Sequence, residues 1–247
     1  MSRSLFLPAR GLLCALATIL LVAVTLPASA IVVDFNSLAP GTVVSGDLPG
    51  GGTAPGDLFP MMKLTAVNTG GGPHSLIIFD SSSPTGGDWD LGTPNQDFGG
   101  PGVGNGGEAG QPGENNSSYG HLLIVAEDIA DHDNDGLVDD PDDEEGGGSI
   151  QFIEFTEPLA VHRMVLVDID GNESATIECY NGGILVGVSS AAALGNNSVQ
   201  EISLAHHGAV TRVVLTISNS GALAEIEYEG ATPVEHTTWG AFKSHYK

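Results

Sequence analysis

The chain has little with which to cross-link or neutralise itself. Of its 247 residues two are cysteine, and seven Lys or Arg stand against 31 Asp and Glu. So few bases exclude a phosphate-binding surface, because a strongly acidic protein repels nucleic acid and anionic membranes alike. Cys14 falls in an N-terminal apolar run, which leaves Cys179 without an intrachain partner and the remainder without a disulfide. Cys179 sits in the alternating stretch Ser174–Tyr180 and reads as a buried strand thiol rather than a nucleophile. Catalytic frameworks are missing as well: there is no H-E-x-x-H, no G-x-S-x-G and no P-loop. Gly102-Val-Gly-Asn-Gly-Gly107 satisfies G-x-G-x-x-G, but it follows no strand pattern and opens no helix. His162, His206 and His207 meet no metal spacing and read as ordinary strand or turn residues.

What is present begins with a leader. Arg3 and Arg10 precede an apolar run from Gly11 to Leu26, and Ala28-Ser-Ala30 supplies a small-residue cleavage site. Residues 1–30 therefore read as a secretory signal peptide, too short and without the charged flank of a membrane anchor. The leader holds two of the basic residues and none of the acidic ones, so the rest of the chain carries five bases against 31 acids, a net of −26. Such a surface attracts divalent cations. In a secreted chain without disulfides, metal binding is the natural staple.

Past residue 30 no segment shows a helical period longer than two turns. Short runs rich in Val, Ile, Leu, Thr and aromatics recur between turn residues: 31–35, 63–67, 75–79, 122–126, 149–155, 161–169, 175–180, 184–188, 200–204, 210–217 and 223–228. They predict an all-β fold, an antiparallel β-sandwich of jelly-roll type with about ten strands and long Gly/Pro-rich loops. Residues 41–113 hold 20 of the 35 glycines, which places the longest loops in the first half and the denser strands in 149–229. One domain over 31–230 is expected, with an insertion around 127–148 and a tail over 231–247.

The most specific motif is Asp131-His-Asp-Asn-Asp-Gly-Leu-Val-Asp-Asp-Pro-Asp142. Acidic side chains stand at loop positions 1, 3, 5, 9 and 12 and glycine at position 6, the oxygen-ligand spacing of an EF-hand-type Ca²⁺ loop. Asp131, Asp133 and Asp135 would bind through side chains, Leu137 through its carbonyl, and Asp139 directly or through water. Asp142 would stand in for the usual bidentate Glu, with Asp143 or Glu144 as competitors. Val138 fits the apolar anchor. The flanks are strand and glycine rather than helix, so the loop is expected to be a weak extracellular clamp, with affinity of about 10⁻⁴–10⁻³ M.

Two further groups suggest sites. Asp80, Asp88, Trp89 and Asp90 lie in one turn-rich stretch that reads as a second cation site, as a sugar-binding edge with Trp89 stacking on a pyranose, or as a loop plugged by Trp89. Asp34 on the first strand, Glu225 or Glu227 on the last, and Asp168 with Asp170 after a strong strand suit a structural cation or plain solvent-facing positions. Period-two alternation sets Asp168 and Asp170 on one side.

In order along the chain, Phe79-Asp80, Pro84–Asp88, Asp90–Asn95, Leu122–Glu127, Asp133–Asp143, Gly146–Phe152, Val165–Asp170 and Gly208–Gly221 resemble a group of secreted bacterial β-sandwich modules. These modules are often found in surface proteins bearing a PEP-CTERM sorting tail. The acidic loop is similar to thrombospondin-type-3 calcium loops. The resemblance spans most of 31–230 and implies a jelly-roll-like, carbohydrate-binding-module-like domain, usually not catalytic. The end departs from that group: Thr232–Lys247 has no Pro-Glu-Pro, no apolar helix and no basic cluster, and its Trp239 and Phe242 suit a docking tail or a short packed element.

The expected function is a secreted or cell-surface, Ca²⁺-binding, non-catalytic binding or adhesion module for glycans or extracellular matrix, with no nucleic acid partner and no membrane insertion after leader removal. Two alternatives remain at this point. One is a structural surface or matrix protein assembled through calcium. The other is a secreted glycan hydrolase, which needs only two carboxylates roughly 5–10 Å apart. Oligomeric state is not legible.

Overall fold

The computed structural model describes residues 29–229; the tail reading and all of the leader reading but Ser29 and Ala30 lie outside the described residues. Twelve strands form one antiparallel hydrogen-bonded network with almost no helix, only three single 3₁₀ turns, among the described residues. They are β1 (Ala30–Val33), β2 (Val43–Asp47), β3 (Thr53–Pro55), β4 (Met62–Asn68), β5 (Leu76–Asp80), β6 (His121–Val125), β7 (Ser149–Val167), β8 (Ala175–Asn181), β9 (Ile184–Ala191), β10 (Val199–Ser203), β11 (Ala209–Ile217) and β12 (Ala222–Glu229). The twelve differ from the eleven runs read in the sequence, and from the expected total of about ten, for two reasons. Val43–Asp47 and Thr53–Pro55 pair as strands although Gly and Pro dominate their surroundings. The runs at 149–155 and 161–169 are one unbroken strand, because Pro158 sits where β7 passes between two sets of partners.

That long strand organises the molecule. Its first half pairs with β4 on one side and β11 on the other, and β11 continues to β8 and β9. Its second half pairs with β10 and β12. From β12 the network runs through β6, β5 and β2 to β3, with β1 joined to the far end of β12. The main core takes side chains from both halves of β7, Ile153 and Phe155 from the first and Val161, Met164 and Leu166 from the second. They pack with Leu64, Leu76, Leu123, Ile177, Leu215 and Tyr228.

A second core lies on the opposite face of β5, β6 and β12. Ile77, Phe79, Leu122, Ile124, Val167 and Ala224 form its floor, and two loop residues, Leu91 and Val138, close it. Strands β5 and β6 are therefore buried on both faces, which explains their unbroken apolar runs LIIF and LLIV. The loops over 81–120 and 126–148 lie on this second core. Leu91 pins the first and Val138 the second, and so the acidic residues of both loops are brought to one end of the molecule.

Candidate metal centre

The first loop delivers Asp88. Its backbone N–H donates to Thr85 O (3.1 Å), and the 3₁₀ turn Trp89–Leu91 follows with Leu91 fully buried. The second loop delivers Asp142 and Asp143. Asp140 takes a left-handed φ of 47°, Pro141 is buried, and Thr85 Oγ1 donates to Pro141 O (2.9 Å). These contacts turn the chain away from the Asp131 loop and toward the first loop. Beyond the turn, Glu127 N bonds Asp142 O and Glu144 N bonds Val125 O, so residues 142–144 run beside the end of β6.

The result is a group of three carboxylates, Asp88, Asp142 and Asp143, whose oxygens lie within 4.8 Å of one another and could hold a metal ion. Asp88 and Asp143 are each 2% exposed. The backbone N–H of Asp143 donates to Asp88 Oδ2 (3.0 Å). Asp143 Oδ2 accepts from Gly221 N (2.6 Å) and Ser220 Oγ (3.0 Å), while its Oδ1 is buried without a partner. Asp168, 1% exposed, approaches from the end of β7; its Oδ1 accepts from Asn197 N (2.6 Å) and its Oδ2 lies 3.2 Å from Ser220 Oγ. One Ser220 hydroxyl hydrogen cannot serve both Asp143 and Asp168 at once, so one of the two keeps only its backbone donor, Gly221 N or Asn197 N.

Buried carboxylates without cations resist ionisation. Burial, followed by the charge of Asp143, pushes Asp88 up to about 10. Burial also pushes Asp142 to about 6 and Asp143 to about 7. Asp168 rises to about 8 through burial and then the charge of Asp90, and Asp90 itself is raised by burial. No ion pair relieves them among the described residues. Arg163 is taken by Glu225 and Glu227 (both 2.8 Å) and Glu201 (3.5 Å), and Arg212 lies over the Tyr180 ring. A hard divalent cation fits this donor set: it needs anionic oxygens, and it would use the orphaned Asp143 Oδ1 and offset the repulsion.

The Asp131 loop forms a second, more open group. Asp131, Asp133 and Asp139 bring oxygens within 4.8 Å of one another. The loop winds around its own carboxylates: Gly136 N donates to Asp131 Oδ2 (3.0 Å), Asp135 N to Asp133 Oδ1 (3.1 Å) and His132 N to Asp139 Oδ2 (2.7 Å). Gly136 has φ 90°, the left-handed turn expected at position 6. Asp135 Oδ1 accepts from Leu137 N (2.8 Å), and Val138 N bonds Gly41 O (2.9 Å) beneath the loop. Position 12 of the motif belongs elsewhere: the structure groups Asp142 with Asp88 and Asp143.

The remaining candidates separate. Asp80 caps its own turn, accepting from Ser82 N and Oγ, and Trp89 points to solvent, 56% exposed. Asp34 accepts from Asn36 N, Glu225 pairs with Arg163, and Asp170 Oδ1 accepts from Gly171 N. Asp168 and Asp170 do not follow strand alternation, because β7 ends at Val167 and Asp168 adopts φ 62°. Glu144 is buried and bonds Asn68 Nδ2 (2.6 Å), a structural tie. Sequence reasoning missed the pairing of Asp143 with Asp88 and the roles of Ser220, Gly221 and Asn197. Asp143 lies 55 positions from Asp88 and 77 and 78 from Ser220 and Gly221, so no local spacing links them. No family model matches the chain, and no curated protein matches it.

Proposed function

We propose that the protein is a secreted, calcium-organised β-sandwich of jelly-roll type that acts as a non-catalytic binding or adhesion module, with glycan as the class of ligand. The observation that carries this reading is the Asp88–Asp142–Asp143 group: two loops meet through buried carboxylates, one of them with an unpartnered oxygen and none with a basic partner. Oxygen-only, anionic donors suit Ca²⁺, and the extracellular setting implied by the leader offers it in abundance. The more exposed Asp131, Asp133 and Asp139 would take a second, weaker ion. The passage of β7 between two sets of partners around one core supports the sandwich reading.

Calcium would fix the loop that carries Trp89. That side chain is exposed directly beside Asp88, and Val103 and Phe98, both exposed, share its loop; Val103 N bonds Trp89 O (2.9 Å). An exposed aromatic ring held on an ordered loop is the kind of surface that stacks on sugar rings. The Asp88–Asp143 pair lends the hydrolase alternative no support, because both side chains are too buried to reach a glycan chain.

Terbium, a luminescent substitute for Ca²⁺, tests the site: excitation of tryptophan should sensitise it, excess Ca²⁺ should quench the signal by displacement, and Trp89→Phe should lower it. A terbium signal unchanged in Asp143→Asn would remove the proposed ligand set. A glycan array with Ca²⁺ and with chelator tests the binding role. Hits that require both calcium and Trp89 support it, and an array blank under both conditions counts against it.

A further inference from the structure

Away from the acidic centre, one cleft runs against the charge of the molecule. It lies where the hairpin of β2 and β3 leans over the edge of β4 that does not pair with β7, and it measures about 290 Å³. Leu64 N bonds Gly56 O (2.7 Å) and Gly56 N bonds Val44 O (3.1 Å), which ties the hairpin to β4. Two glycines at positive φ permit this approach. A Cβ at Gly56 would strike Leu64 O, and a Cβ at Gly46 would strike His74 O, so backbone contact sets the walls.

The lining separates this cleft from the rest of the surface. Its titratable groups are Lys63 and His74, and no carboxylate lines it, in a chain with 31 acidic residues and seven basic ones. Asp47, opposite Thr53, and Glu154, opposite Lys63, stand outside the lining. Lys63 makes no ion pair among the described residues. His74 Nδ1 accepts from Asn68 N (3.0 Å), which holds the ring and leaves its proton on Nε2 as a donor. Thr53 and Thr65 add hydroxyls. The hydroxyl of Ser45, a residue 1% exposed, is buried beside the cleft without a partner.

We propose that this cleft binds one acidic sugar unit, a hexuronate, with its carboxylate on Lys63 and the His74 Nε2–H and its hydroxyls on Thr53 and Thr65. Chemistry selects the ligand. An ammonium and an imidazole N–H without a carboxylate in the lining take an anionic oxygen. Hydroxyls both donate and accept, which suits a polyhydroxylated ring, and Ala54, Pro55 and Ala66 offer apolar surface to its C–H groups. Size selects it too. Small-molecule sites run from about 300 to 1,000 Å³, and a cleft at the bottom of that range holds a single ring. The lining shares no residue with the acidic centre or with the Trp89 loop, so this site rests on neither.

NMR titration of the ¹⁵N-labelled full chain in saturating Ca²⁺, with sodium glucuronate and with sodium galacturonate, tests this. At least one should bind with a Kd of about 1 mM, the scale for so small a ligand, and shift the amides of Thr53, Lys63, Thr65 and His74. Glucose, sodium acetate and sodium sulfate each supply part of the chemistry and should bind at least about tenfold more weakly. Lys63→Met keeps the aliphatic stem, removes the charge and should lower hexuronate affinity at least about tenfold. Its melting temperature should match the parent, since Lys63 is exposed. Trp89→Phe should bind hexuronate as the parent does. Hexuronate binding that is absent, no tighter than that of glucose, acetate or sulfate, or retained in full by Lys63→Met overturns the proposal. So does binding that is lost in Trp89→Phe.

Discussion

At the scale of single residues, the acidic centre is a set of carboxyl groups whose charge the fold opposes and which could hold a metal ion. The sign follows from the raised values of Asp142 (about 6), Asp143 (about 7) and Asp168 (about 8), against about 3.9 in an unfolded chain. A carboxyl whose folded value is raised binds its proton more tightly when folded. Its stabilising contribution is therefore complete below about pH 4 and is lost as pH climbs through the folded values. In chelator, the melting temperature should fall between pH 5 and pH 8 on this account. In saturating Ca²⁺ that fall should shrink or reverse, because calcium competes with the protons and binds better as pH rises. Asp88→Asn should raise the melting temperature in chelator, since Asn mimics the protonated Asp88 without requiring proton uptake on folding, and it should weaken the response to calcium. A chelator profile that is flat from pH 5 to pH 8 would count against the raised values.

At the scale of elements, two loops are nailed to the second core by one apolar residue each, Leu91 and Val138, both buried. Val138→Ala removes two buried carbons and should cost about 2 kcal/mol. Because Val138 sits between Asp135 and Asp139, it should also reduce calcium affinity, as read by titration calorimetry. Ile153→Ala and Leu166→Ala, in the two halves of β7, should each cost about 2–5 kcal/mol in chemical unfolding and leave calcium binding in the surviving folded protein intact. The strands were largely legible beforehand, because β-branched and aromatic runs between turn residues mark them whatever their partners. The merging of 149–155 with 161–169 was hidden, since Pro158 lies between the two apolar runs and the strand stays continuous by switching partners there. The Asp131 loop was legible because its chemistry is local, with ligands every second residue and glycine at the turn. The buried centre was not, because Asp88 and Asp143 lie 55 positions apart and Ser220 lies further still. Nothing in the motif's own spacing shows that Asp140 and Pro141 turn Asp142 out of it.

At the scale of the whole molecule, a chain with 31 acidic and seven basic residues folds, among the described residues, around a core without a disulfide, with Cys179 buried and free. Reductant should therefore leave the melting temperature unchanged, and salt should raise it by screening repulsion even without calcium. Among the described residues no helix is long and apolar enough to cross a membrane. The buried acidic centre and the exposed Trp89 share one loop, with Trp89 adjacent to Asp88 in the chain. The central claim is that a cation held by Asp88, Asp142 and Asp143 ties the two long loops to the sheet. Calorimetric melting in excess Ca²⁺ and in chelator, for the parent, Asp143→Asn and Asp133→Asn, tests it most directly. The account predicts a calcium-dependent rise for the parent, a smaller rise for Asp133→Asn and almost none for Asp143→Asn. Equal melting of the parent in calcium and chelator, or a full rise retained in Asp143→Asn, would contradict it.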